Sequence, residues 1–196
     1  MHPLDQFLHA GDCLHVASDG QMLLPTTRPP AILPGSFNPI HRGHWELARV
    51  AERLLGHTVA FEMSVANVDK PTLSRDEIRR RLTQFDAQAS VWLTQAPLFA
   101  QKAELFRGAT FIVGADTALR IVSTRYYGDE AAMIAALARI RAFECRFLVA
   151  CRVDEQGKCW RASELSIPAE FAAMFTEIAP ETFRWDISST ALRMQS

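Results

Sequence analysis

Two histidines spaced three residues apart are the side chains of this sequence best suited to chemistry. His41 and His44 end the run 34–44, Pro-Gly-Ser-Phe-Asn-Pro-Ile-His-Arg-Gly-His, which follows the apolar residues 31–33. Residues three apart share one face of a helix. Imidazole N–H groups can donate hydrogen bonds to a phosphate as negative charge builds up on it. The spacing therefore predicts a phosphate site where a helix begins.

The residues around the histidines predict a strand, a glycine turn and a helix. Residues 45–55 are apolar at positions 47, 48, 51, 54 and 55, which is helical spacing. Gly35 permits a tight turn, and Gly43 permits close approach of the backbone to a ligand. Helix N-termini also suit anions, because their first N–H groups are unpaired. The alternative, a helix that begins with two surface histidines, is favoured for an isolated H-x-x-H but not in this context.

Composition limits the classes of function. A chain of 196 residues with 48% hydrophobic residues is large enough for one domain with its own core. The formal net charge of −1 argues against a broad nucleic-acid or membrane surface. No apolar run is long enough to span a bilayer. The four cysteines form no C-x-x-C pair, which argues against a zinc site. They are few and scattered, which predicts reduced thiols in a cytoplasmic protein.

Strands and helices are expected to alternate after residue 30. The expected strands are 57–65, 91–94, 110–113, 146–151 and a short last one at 183–187, after the first one at 31–33. The expected later helices are 75–85, which a capping box of Ser74 and Glu77 would begin, and 117–122, 129–143 and 168–178. Unbroken apolar strands between helices predict an α/β fold, a parallel sheet with helices on both faces. We expect residues 1–30 to be an appendage of unknown role and residues 31–196 to be the functional domain.

Two further motifs lie where parallel strands or helix starts would place ligand-binding groups. Residues 111–116 read Phe-Ile-Val-Gly-Ala-Asp, and residues 186–193 read Asp-Ile-Ser-Ser-Thr-Ala-Leu-Arg. Ser-Ser-Thr alone before a helix is most often a cap. With Arg193 one turn further, the hydroxyls, free N–H groups and guanidinium would form an anion cradle. For Asp116 the alternative to a ligand contact is a cap on the helix that follows.

In the same order, these three motifs resemble those of the nucleotidyltransferases that carry the H-x-G-H motif. The Ser-Phe-Asn-Pro form at 36–39 is most similar to that of nicotinamide or nicotinate mononucleotide adenylyltransferases. The resemblance implies a Rossmann-like fold of nucleotidyltransferase type. It also implies transfer of an adenylyl group from ATP to a phosphorylated acceptor similar to nicotinamide mononucleotide, with release of pyrophosphate.

The resemblance also implies roles for residues. His41, His44 and Arg193 would be catalytic. The implied nucleotide-binding residues are Gly35, Ser36, Phe37, Asn38, Gly43, Gly114, Asp116, Ser188, Ser189 and Thr190. Mg²⁺ would be bound through the triphosphate, and no protein residue is expected to be a metal ligand.

The acceptor side departs from those relatives. Residues 67–71 read Asn-Val-Asp-Lys-Pro where such enzymes often have a loop ending in His-Lys, and no tryptophan follows Asp116 closely. The candidate acceptor-binding residues are Lys70, Arg79, Lys102 and Tyr126. A solvated loop lysine and an aromatic ring in packing are the structural alternatives.

Two other functions stay open at this point. One is cytidylyl transfer from CTP, because the H-x-G-H site does not select the base; the serine-rich last motif favours ATP. The other is a nucleotide-binding regulator without turnover, against which the intact His41, His44 and Arg193 argue. The expected partners are small molecules and neither nucleic acid nor a membrane, and the sequence is compatible with a homo-oligomer.

Overall fold

The computed structural model describes residues 2–24, 27–66, 71–85, 88–153 and 159–183. The α-helices are α1 (Pro3–Ala10), α2 (Arg42–Leu55), α3 (Arg75–Leu82), α4 (Phe99–Leu105), α5 (Ala115–Ile121) and α6 (Glu130–Ala142). The strands are β1 (Cys13–Val16), β2 (Met22–Leu23), β3 (Ala31–Pro34), β4 (Ala60–Ser64), β5 (Val91–Thr94), β6 (Thr110–Gly114), β7 (Arg146–Ala150), β8 (Arg152–Val153), β9 (Cys159–Trp160) and β10 (Phe175–Ile178). Short 3₁₀ helices cover Thr83–Phe85, Thr124–Tyr126, Ala162–Glu164 and Ala169–Met174.

An eight-stranded sheet in the order β10-β7-β6-β3-β4-β5-β1-β2 forms the centre of the described structure. The strands from β10 to β5 are parallel, and β1 and β2 continue the sheet antiparallel. The chain runs outward from β3 through β4 and β5, then crosses back to β6 beside β3. Strand order therefore reverses between β3 and β6, and ligands of such sheets bind at the carboxyl ends of the strands at that point.

Helices cover both faces of the sheet, as the alternating pattern predicted. Side chains of α1, α2 and α3 pack on one face with Phe61 and Met63 of β4. Side chains of α4, α5 and α6 pack on the other face with Phe111 and Phe147. The α/β fold with a Rossmann-like sheet is confirmed, because the central apolar strands are buried from both sides.

The expected helix over 168–178 is wrong in its second half. A 3₁₀ helix ends at Met174, and β10 then pairs parallel with β7. Apolar residues at 171, 174, 175 and 178 have helical spacing, which explains the expectation. Pairing with the open edge of β7 and stacking of Phe175 on Phe147, with ring centroids 4.8 Å apart, favour the strand instead.

The N-terminal residues, expected to be an appendage, add to the same sheet and core. Leu4 and Phe7 of α1 are fully buried, and β1 pairs with β5 through Leu14 and Leu93. The division of the chain at residue 30 stays a prediction. Within the described ranges, no helix has the length and apolar character needed to cross a membrane.

The expectation that all four cysteines are reduced is wrong for Cys151. That residue is disulfide-bonded, whereas Cys13 and Cys145 are free and buried. Spacing along the sequence does not show which thiols the fold brings together, and this is why the sequence did not reveal the bond.

Candidate functional site

The loop that connects β3 to α2 leaves the sheet at its carboxyl edge. The Gly35 N–H donates to the Glu62 carbonyl oxygen (2.9 Å) and so extends the pairing of β3 with β4 by one residue. A Cβ at position 35 would lie 2.7 Å from two ring carbons of Phe37. Gly35 is therefore required for space rather than for an unusual turn. Phe37 is the residue that takes the left-handed conformation, with φ of 44°.

Phe37 contributes its side chain to the core and not to the surface of the site. Its ring is 1% exposed and packs edge-to-face against Phe61, Phe85 and His44. The ring forms the apolar wall behind His44. Of the expected nucleotide-binding residues in this loop, Ser36 is exposed and Asn38 is half-buried, so their side chains lie nearer the surface.

The two histidines form one stacked pair at the start of α2. Their ring centroids are 3.7 Å apart, at an interplanar angle of 29°. The backbone N–H of His41, the N-cap residue, donates to Nδ1 of His44 (3.1 Å). A neutral imidazole has one donor and one acceptor nitrogen, so this contact assigns the proton of His44 to Nε2. Gly43 lies buried in the same first turn.

Both imidazoles are neutral at pH 7. Burial, together with the charge that His41 would carry, lowers the pKa of His44 to about 3. Burial also lowers the pKa of His41. Nδ1 of His41 is buried and has no hydrogen-bond partner among the described residues. An unpaired buried polar atom beside an ordered donor is typical of a site that a ligand completes.

The segment 114–116 lies on the neighbouring strand. β6 pairs with β3 and ends at Gly114, which is the N-cap residue of α5. A Cβ at position 114 would lie 2.8 Å from Oδ1 of Asp116, so glycine leaves room for that carboxylate. Asp116 lies in the first turn and is not the cap residue that the sequence alternative proposed. The fold thus brings residues 35–44 and 114–116 to the same sheet edge, where strand order reverses.

Sequence reasoning missed a set of polar side chains that hold the β3–α2 loop. Arg81 Nη1 donates to the Ser36 carbonyl oxygen (2.8 Å), and Arg80 Nη2 donates to Asn38 Oδ1 (2.6 Å). Gln84, in the 3₁₀ helix that continues α3, also contacts the loop. We call Arg80, Arg81 and Gln84 the α3 clamp. A capping box at Ser74 and Glu77 had predicted α3, but nothing in its spacing indicates contacts with a loop some 45 positions away.

Three of the candidate acceptor-binding residues, Lys102, Arg79 and Tyr126, lie in the described part of the chain. Lys102 is 5% exposed, and its Nζ lies 2.6 Å from Oε1 of the fully buried Glu62, so it is committed to an ion pair. Arg79 lines a cavity of about 330 Å³ beside the β1–β2 turn, and no residue from 35–44 lines that cavity. Tyr126 is 37% exposed, with Arg120 Cζ 5.9 Å from its ring centroid.

The remaining expected site residues lie outside the described part of the chain. They are Lys70, Ser188, Ser189, Thr190 and Arg193. Their roles stay predictions. The last strand expected at 183–187 also falls there apart from its first residue, Phe183, which is buried.

A comparison with protein families agrees with this geometry. The family described as cytidylyltransferase-like matches residues 32–195, which include all three motifs and most of the chain. No curated protein sequence matches the chain significantly.

Proposed function

The chain belongs to the cytidylyltransferase-like family within the H-x-G-H nucleotidyltransferases, and we propose that it is an enzyme that transfers an adenylyl group from ATP to a phosphorylated acceptor. The observation that carries the proposal is the stacked, neutral pair of His41 and His44 at the carboxyl edge of the sheet. Because the His41 N–H occupies Nδ1 of His44, Nε2 of His44 is an ordered donor. Such a donor suits a phosphate on which negative charge develops.

The proposed reaction is a single in-line displacement. A phosphate oxygen of the acceptor attacks the α-phosphorus of ATP, a new P–O bond forms, and the bond to pyrophosphate breaks. His41 and His44 donate hydrogen bonds to the α-phosphate. Arg193, Ser188 and Ser189 hold the leaving pyrophosphate, and Gly114 and Asp116 lie beside the nucleoside. Catalysis is then alignment and charge stabilisation, without a covalent enzyme intermediate.

Mg²⁺ is part of the proposal as a companion of the nucleotide. Among the described residues, no group of three His, Cys, Asp or Glu side chains could hold a metal ion. The donors nearest the reacting phosphate are neutral imidazoles and backbone N–H groups, which suit phosphate oxygens. When bound to the triphosphate, Mg²⁺ neutralises part of its charge.

The proposal also specifies which acceptor and which nucleotide base to test first. The Ser-Phe-Asn-Pro form of residues 36–39 makes nicotinamide mononucleotide the first acceptor to try. The description of the matching family makes CTP the second donor to try. A regulator that binds nucleotide without turnover is the third candidate.

Small-molecule partners and a cytoplasmic location complete the proposal. The net charge of −1 offers no broad attraction for nucleic acid or anionic membranes.

The test is pyrophosphate release by the purified protein with Mg²⁺, with ATP or CTP, and with a panel of phosphorylated acceptors. We expect release with ATP and nicotinamide mononucleotide. Release with CTP alone would replace the adenylyl assignment by a cytidylyl one. Tight ATP binding with no release for any acceptor would favour the regulator.

Variants of His44 test its role in the same assay. His44→Ala removes the imidazole, and His44→Asn keeps an acceptor near the position of Nδ1 but removes the Nε2 donor. We expect both to bind ATP within a small factor of the wild type and to lose about 10²–10³ in turnover. Near-normal turnover in His44→Asn would contradict the proposed donor.

A further inference from the structure

We infer that Arg81 and Gln84 are positioning residues that set the place of the two histidines by fixing the backbone of the β3–α2 loop. The inference rests on the proposed function, because it concerns how the site of that reaction is held. Neither residue was selected by the sequence motifs, and neither belongs to the loop itself.

Arg81 is a buried arginine directed at a loop carbonyl group. Its side chain is 10% exposed, its Nη1 donates to the Ser36 carbonyl oxygen (2.8 Å), and its Nε donates to Oε1 of Glu77 (2.7 Å). Burying a guanidinium is costly unless its N–H groups are paired. Here one end is paired with a carboxylate of α3 and the other with the loop. The position of the Ser36 carbonyl oxygen is therefore tied to α3.

Gln84 bridges the two sides of the same loop. Its Nε2 donates to the Phe37 carbonyl oxygen (3.0 Å), and its Oε1 accepts from the Ile40 N–H (2.9 Å). An amide can donate and accept at once, whereas a carboxylate can only accept. Ile40 directly precedes His41, so this contact fixes the backbone just before the histidine pair.

The loop has a backbone conformation that contacts from neighbouring elements help to hold. Phe37 has a φ of 44°, a conformation that a non-glycine residue keeps only where its surroundings enforce it. Gln84 accepts from the Ile40 N–H, and the N–H of the next residue, His41, orients His44. A displacement of about 1 Å at a reacting group can cost about 10²-fold in rate. Arg81 and Gln84 thus act on the chemistry through the loop and not by contact with substrate.

The test uses Arg81→Met and Gln84→Leu in the intact 196-residue chain, with Gln84→Glu as the conservative variant and Arg139→Met as the matched control. Arg139 forms an exposed ion pair with Glu104 (2.6 Å) away from the loop. We expect faster amide hydrogen exchange over residues 35–44 in Arg81→Met and Gln84→Leu, with exchange over 146–150 unchanged. We also expect kcat to fall about 10- to 100-fold while the KM for the nucleotide stays within about threefold.

The outcomes separate the two proposals. Unchanged exchange over 35–44, or unchanged kcat in both variants of an active enzyme, overturns the positioning role and leaves the proposed function intact. If exchange over residues 146–150 becomes faster by the same factor as exchange over 35–44, the variant has lost stability throughout. That result also overturns the positioning role. A wild-type protein that transfers no nucleotide overturns the proposed function, whereas local exchange changes in its variants still establish that Arg81 and Gln84 hold the loop. Gln84→Glu should restore the contact with Ile40 but not that with Phe37, so an intermediate kcat supports the inference.

Discussion

At the scale of single residues, the environment of His41 and His44 turns ordinary titratable side chains into fixed neutral donors. One backbone N–H orients His44, and an aromatic wall at Phe37 buries it. Protonating either ring in this place would set a charge against an apolar surface and beside the other ring. The pair therefore stays uncharged at neutral pH, with Nε2 of His44 as an ordered donor.

The lowered pKa of His44 predicts a dependence of stability on pH. The folded pKa, about 3, lies below the ordinary value near 6.5, so the unfolded chain binds more protons between these pH values. Stability from this group is present above pH 6.5 and is lost as the pH falls towards 3. We expect it to lower the free energy of unfolding by about 2 kcal/mol between pH 7 and pH 5. Urea unfolding of the wild type and of His44→Asn at both pH values measures this, and equal pH dependence in the two proteins would contradict it.

The contact between position 35 and Phe37 predicts a coupled pair. Gly35→Ala places a Cβ against the buried ring, and we expect a loss of about 1–3 kcal/mol in the free energy of unfolding. Phe37→Leu removes the opposing ring carbons. In the double variant, the alanine should therefore cost about 0.5–3 kcal/mol less than it does alone. Chemical denaturation of the four proteins of the cycle tests this, and strictly additive effects would show that the clash is relieved in another way.

At the scale of elements, side-chain contacts join helices, strands and loops that are adjacent in the fold but far apart in the sequence. The α3 clamp joins α3 to the β3–α2 loop, and the Glu62–Lys102 pair joins β4 to α4. Thr94 of β5 also donates to Oε1 of Glu62, whose Oε2 has no partner in the described structure. The expected role of Lys102 at the acceptor stays a prediction, and its ion pair in this buried cluster gives it a structural task as well.

Removing Lys102 tests that task. Lys102→Met leaves the buried carboxylate of Glu62 uncompensated, and we expect a loss of about 3–5 kcal/mol in the free energy of unfolding. The double variant with Glu62→Gln should recover most of the loss, because the neutral amide can still accept from Thr94. The exposed pair at Arg139 is the control, where Arg139→Met should cost about 0–1 kcal/mol. A stable Lys102→Met protein with a raised acceptor KM would return Lys102 to the acceptor site.

At the scale of the whole molecule, the N-terminal residues complete the sheet on the side of β5. β1 covers the edge of β5, and α1 packs Leu4 and Phe7 into the core that also holds Phe37 and Phe61. An uncovered β5 would expose an unpaired strand edge. The segment expected to be an appendage therefore supports the same core that supports the candidate site.

Truncating Leu14 tests this contribution. The side chain is fully buried, and we expect Leu14→Ala to lower the free energy of unfolding by about 2–5 kcal/mol. Leu24 is 59% exposed and serves as the matched control, for which the same truncation should change stability by less than about 0.5 kcal/mol. Thermal or urea unfolding measures both, and a neutral Leu14→Ala would contradict a contribution of this strand to the core.

The local pattern of the sequence was sufficient to predict the features that depend on residues close together in the chain. The alternation of apolar strands and helices predicted the α/β sheet, and the strand–glycine–helix context of His41 and His44 predicted their place at a helix start. Helical spacing of the apolar residues at 171–178 predicted a helix where the structure has a strand, although the same kind of spacing predicted other helices correctly. The pattern cannot show that the edge of β7 is open to a further strand. The three motifs, in their order, also indicated the family that now matches residues 32–195.

Only the tertiary structure decided which distant groups meet. It showed that Lys102 is paired with Glu62, that Cys151 is bonded, and that Arg81 and Gln84 hold the loop before His41. The contacts of Lys102, Arg81 and Gln84 join residues 40 to 45 positions apart, and such pairing follows from strand order and packing and not from spacing along the chain. The chemistry of the imidazoles was in the sequence. Their neutral state and fixed orientation depend on burial and on hydrogen bonds that exist only in the folded protein.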